Sequence, residues 1–115
     1  MIENIDKKLE FITKVLDDKK AEHIESVDLS DIDYIAQKVV IASSLGGKHT
    51  EALYLYLKDA LKDHGEKFVA TDETEDWIVA DLGDIMIHIM TPEYRKIYSI
   101  ESFLDELKKS KKEYI

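Results

Sequence analysis

The sequence predicts an α/β protein: one domain, with a mixed β-sheet flanked by helices. Three observations predict it. Apolar residues at helical spacing open the chain, a β-branched run leads through two glycines into a second helical pattern, and two apolar runs flank a Gly-Asp pair. A chain of 115 residues is the length of one domain, and with 44% hydrophobic and 36% charged residues it carries enough apolar surface for a core.

Ile5, Leu9, Ile12 and Leu16 recur every three or four residues, with Phe11 and Val15 widening the stripe, so a first helix is expected over 5–20. The stretch 23–30 alternates, placing Ile24, Val27 and Leu29 among polar neighbours, and reads as a short strand closed by Ser30-Asp31. Val39-Val40-Ile41-Ala42 is apolar on both faces, as a central strand covered by helices requires. Gly46 and Gly47 allow a tight exit into a helix starting near residues 48–50. Leu53, Leu57, Ala60, Leu61 and His64 mark one of its faces, and Gly65 is its natural stop. A strand over 67–70 then completes a βαβ-like unit, and the acidic stretch 72–76 is expected to be a solvated loop.

The runs 77–82 and 85–90 form a hairpin around Gly83-Asp84. That loop length fixes the register. Leu82 faces Ile85, Ala80 faces Ile87 and Ile78 faces Ile89 on one side; Asp81 faces Met86, Val79 faces His88 and Trp77 faces Met90 on the other. The first set is aliphatic core. The second combines an indole, two thioethers, an imidazole and a carboxylate, the composition of a recognition surface. Thr91 and Pro92 then start a short helical turn through Tyr98, and Ser99 caps a last helix with Ile100, Phe103, Leu104 and Leu107 facing inward. The lysine-rich tail 108–115 suits a helix C-terminus and is expected to fray beyond Ser110.

Composition and spacing exclude most chemistry. Sixteen basic against 25 acidic residues give a net charge of −9, which repels phosphate backbones, so no direct nucleic-acid recognition is expected. The absence of cysteine removes thiol catalysis, thiolate metal sites and disulfides, and no continuous apolar run suits a membrane span; the reading is cytoplasmic. The glycine turn with Lys48 matches neither phosphate-loop pattern. His23, His49, His64 and His88 show no metal-ligand spacing, His49 has no nucleophile near it in sequence, and Asp81 and Asp84 do not form a D-x-D pair. Neither catalytic residue, metal nor cofactor is expected.

The run from Asp76 to Met90, followed by Arg95, Tyr98 and Glu101, resembles the signature of the ribosomal silencing factor family, also called Iojap-like; its core is W-x-x-x-D-x-G-D-x-x-x-H, and the likeness extends over about residues 9–104. Ala36-Gln37, the turn Ser44-Leu45-Gly46-Gly47-Lys48-His49 and the close Phe103-Leu104 depart from the usual family residues. The resemblance implies a nucleotidyltransferase-like fold without that superfamily's catalytic acids, and a translational repressor that binds the large ribosomal subunit through the ribosomal protein L-fourteen and keeps the small subunit from joining. The hairpin would then present Trp77, Asp81, Met86, His88 and Met90 to a basic ribosomal surface, with Asp84 and Tyr98 as rim contacts. A homodimeric adaptor and a degenerate nucleotidyltransferase-like enzyme are the alternatives.

Overall fold

The computed structural model describes residues 2–113 apart from 33 and 35. Helix α1 spans Ile5–Asp18, and its stripe buries Ile12 and Leu16 completely. The Asn4 side chain accepts a hydrogen bond from the Lys7 amide at 2.9 Å, satisfying one of the free N–H groups of the first turn. The helix ends two residues earlier than the periodicity suggests because the chain turns left-handed at Lys20, with φ 75°. The Ala21 amide returns to the Leu16 carbonyl at 2.9 Å and the Lys20 amide to that of Asp17 at 3.1 Å, the bond pair of a Schellman close. A side chain is strained there, so Lys20→Gly is expected to raise stability by about 0.5–1 kcal/mol in urea unfolding. An unchanged or lower midpoint would count against that strain.

Strands β1 (Glu22–Asp28) and β2 (Lys38–Ser43) pair antiparallel, and helix α2 (Gly47–Lys62) follows. Gly65, with φ 74°, closes α2, and the Glu66 amide reaches back 2.9 Å to the Leu61 carbonyl. Strands β3 (Ala70–Glu73), β4 (Trp77–Asp81) and β5 (Ile85–Met90) complete one sheet in the order β1-β2-β5-β4-β3. Only β2 and β5 run parallel. The hairpin pairs all five residues of β4 in the expected register, from Asp81 opposite Met86 to Trp77 opposite Met90. Gly83 sits at φ 95°, which is why the turn needs a glycine.

The strand after α2 differs from expectation. It occupies Ala70–Glu73, pairs antiparallel with β4 and forms a sheet edge; the parallel partner of β2 is β5. Asp72 and Glu73, expected in a loop, belong to this exposed strand, since an edge facing water carries charge without penalty.

Two cores result. On one face Val40, Ala42, Ile78, Ala80, Ile87 and Ile89 pack against α1 and α2. On the other, Val39, Ile41, Met86 and Met90 lie under helix α4 (Ile100–Glu113), whose Leu104 is buried and whose Ile100 packs beside it, and under Tyr94 of helix α3 (Pro92–Ile97). Phe103, expected to face inward, is exposed. Of the lysine-rich tail, the helix runs past Ser110 to Glu113, and Tyr114 and Ile115 lie outside the described residues. No helix among the described residues is long and apolar enough to cross a membrane.

Candidate functional site

Strand alternation puts Trp77, Val79 and Asp81 on the α3 and α4 side of β4, each half-buried between fully covered neighbours. Trp77 stands at the β4 end nearest α3. Its ring lies 5.3 Å from that of Tyr98, and Tyr98 lies 5.7 Å from Tyr94. Tyr98 is 50% exposed, so the cluster opens to solvent through it. The Trp77 Nε1–H donates to His88 Nδ1 at 3.1 Å, a diagonal reach across the strand pair.

His88 is 7% exposed, and burial pushes its imidazole down from 6.5 to about 4. At neutral pH the ring is therefore uncharged, and because Nδ1 accepts the indole bond, Nε2 carries the proton. The folded state holds a proton less readily than the unfolded chain, so the contribution of a neutral His88 is complete above pH 6.5 and is lost as pH falls towards 4. It amounts to roughly 3 kcal/mol. Urea midpoints measured from pH 7 to 4 are expected to fall in the wild type and to flatten over that window in His88→Leu; parallel slopes would contradict this. Asp28, whose carboxyl is held down at about 2 by the Ser30 hydroxyl and amide and by Lys38, acts in a lower window.

The hairpin does not present its whole second face. Met86, His88 and Met90 are buried, because β5 is the middle strand and the apolar sides of α3 and α4 close over it. Asp84 is drawn to the opposite side: its Oδ2 pairs with Lys8 Nζ at 3.0 Å, and Lys8 also meets Glu66 at 3.1 Å, tying the hairpin turn to α1 and to the end of α2. Asp81 Oδ1 accepts from the Gly83 amide at 2.7 Å and so shapes the turn. It lies about 13 Å along β4 from Trp77. Of the seven residues expected at a docking face, the structure brings together Trp77, His88 and Tyr98, with Met90 beneath; Asp81, Asp84 and Met86 belong to the far end.

Two residues matter more than their sequence context suggests. Tyr94 joins the aromatic cluster. Arg95, only 8% exposed, donates from Nη1 to Ser43 Oγ at 2.9 Å and to the His23 carbonyl, and pairs with Glu25 at 3.5 Å and Glu101 at 3.7 Å. His23, at φ 47°, forms the bulge in β1 that aims this carbonyl. Arg95 thus ties α3 to β1, β2 and α4, and so sets Tyr98 beside Trp77. The only sequence signal was the place of Arg95 and Glu101 in the motif.

Ser44, His49 and Thr50 at the glycine turn are held by contacts within the fold. The Ser44 and Thr50 hydroxyls are buried 2.6 Å apart, and His49 receives the Leu45 amide on Nδ1 at 2.8 Å while its Nε2–H reaches the Lys19 carbonyl at 2.9 Å. This histidine joins α2 to the end of α1. Among the described residues, no three His, Asp or Glu side chains gather as a metal site requires.

Residues 2–114 match the family model described as "Ribosomal silencing factor during starvation". The chain belongs to the ribosomal silencing factor family. The ribosomal silencing factor RsfS of Zymomonas mobilis is 34% identical over 96 residues, covering 81% of this chain and 71% of that protein. The mouse protein named "Mitochondrial assembly of ribosomal large subunit protein 1" is 33% identical over 79 residues, 59% of this chain and 35% of its own length. A crystal structure of a Chromobacterium violaceum protein superposes with a TM-score of 0.83 at 26% identity, over 88% of this chain and 86% of that one. The relatives carry the name ribosomal silencing factor, and this chain is similar to them over most of its length.

Proposed function

We propose that this protein is a translational repressor that docks on the large ribosomal subunit, through the ribosomal protein L-fourteen, and sterically keeps the small subunit from joining. The observation that carries the reading is the Trp77, Tyr94 and Tyr98 cluster, of which Trp77 and Tyr98 belong to the motif that resembles the family's, and which opens at the surface through a half-exposed tyrosine. Trp and Tyr supply large contact areas at little entropic cost and are enriched where binding energy concentrates. The net charge of −9 supports a basic partner, since opposite charge speeds encounter and disfavours wrong partners. The name of the mouse relative, which refers to assembly of the large subunit, points to the same particle.

The mechanism needs no bond made or broken. A body seated on the face where the subunits meet excludes the small one by volume alone, so the protein acts without catalysis or cofactor in the cytoplasm. Its aromatic cluster supplies affinity, and the two packed cores supply rigidity.

Purified protein mixed with isolated subunits and sedimented through sucrose tests the docking. Saturable recovery with large but not small subunits is expected, together with binding to purified L-fourteen. No recovery with large subunits at saturating protein overturns the proposal.

A further inference from the structure

Trp77 is the only tryptophan of the chain, and its single hydrogen-bond donor is already committed inside the fold. The residue directly across the strand pair, Met90, is a buried thioether that packs against an indole without fixing its rotation. Tyr98 lies against the ring at 5.3 Å with 35° between the planes, a loose contact from a half-exposed side chain. The directional restraint comes from one place, the 3.1 Å bond from Nε1–H to His88 Nδ1.

We infer that His88 is a positioning residue of the docking surface: from beneath, it holds the Trp77 indole in the orientation that a partner meets, without touching the partner itself. This rests on the docking reading above. His88 can do so because it is buried and uncharged at neutral pH, which keeps the Nδ1 lone pair available. The partner's chemistry follows. With the N–H turned inward, the indole offers its π face and its carbon edge, and the side chain that suits them is an arginine or lysine laid over the ring. A partner seeking a hydrogen-bond donor from Trp77 would find it occupied.

The lone tryptophan makes the inference readable by emission as well as by binding. His88→Leu fills the buried space without an acceptor, whereas His88→Asn places an amide oxygen close to the position of Nδ1. In His88→Leu the indole emission is expected to shift to the red and to be quenched more readily by iodide, and large-subunit binding in the sedimentation assay to weaken about fivefold. His88→Asn is expected to restore both to near wild type. Trp77→Phe, which keeps a ring and loses the donor, is expected to weaken binding, and His88→Leu added to it to cost nothing more.

A folded His88→Leu variant with wild-type emission and wild-type binding overturns the inference. If that variant does not fold, wild-type binding by Trp77→Phe overturns it instead. Emission is measured without ribosomes, so a loose indole in His88→Leu alongside a wild-type protein that fails to sediment with large subunits would count against docking and leave the hold of His88 on Trp77 standing.

Discussion

Trp77→Ala is expected to weaken binding to large subunits by at least about tenfold, or ~2 kcal/mol, while the domain stays folded. The indole is half-buried, so its removal also loses the bond to His88 and the packing on Tyr98. The cost to stability is expected at about 1–2 kcal/mol, below the roughly 3–5 kcal/mol of a fully enclosed tryptophan. Sedimentation with large subunits and urea unfolding of the same preparation separate the two effects. A variant that unfolds early yet binds normally while folded would place Trp77 in the core and the docking surface elsewhere.

Ile87→Ala is expected to do the reverse. Ile87 is completely buried in the central strand, opposite Ala80 on β4 and Val40 on β2, under the helices of the other face. Deleting its outer methyl groups leaves a cavity that the surrounding strands cannot close, at a cost of about 2–5 kcal/mol. That is a large part of the stability of a domain this size. The molecules that remain folded are expected to bind large subunits as the wild type does. A loss of binding in folded protein would mean that the two faces of the sheet are not independent.

The hairpin was legible because its information is local. A two-residue loop at Gly83-Asp84 leaves one register compatible with keeping Ile78, Ala80 and Leu82 on the same side, and every pair of β4 with β5 follows from it. The helices were legible from their stripes, with errors where a cap decided the end: nothing in the pattern marks Lys20 as the residue that turns left-handed.

What was not legible depends on distant contacts. The composition of the second hairpin face looks like a surface until α3 and α4 are placed over it, and a stripe such as Ile100 and Leu104 does not say which side of a sheet it will cover. The same ambiguity misplaced the strand after α2. A βαβ pattern requires a parallel neighbour for β2, and that neighbour proved to be β5, two strands later. In the sequence Arg95 stands out only as part of a motif, because its partners His23 and Ser43 lie 72 and 52 residues away. The family resemblance indicated the partner class. In the fold, Met86, His88 and Met90 are covered, Met86 at the Asp81 end of the hairpin and His88 and Met90 beneath the aromatic end, which leaves Trp77 and Tyr98 for the proposed contact.

Steric repression is tested most directly by subunit joining itself. Purified large and small subunits, mixed at a magnesium concentration that favours association, are resolved on gradients with increasing amounts of the protein added first to the large subunit. The joined fraction is expected to fall to near zero at saturation, with the protein travelling on free large subunits, and to recover with Trp77→Ala at the same concentration. A joined fraction that stays constant while the protein is bound to the large subunit would contradict the account, because the chain would then be a passenger on the ribosome and not a barrier between its halves.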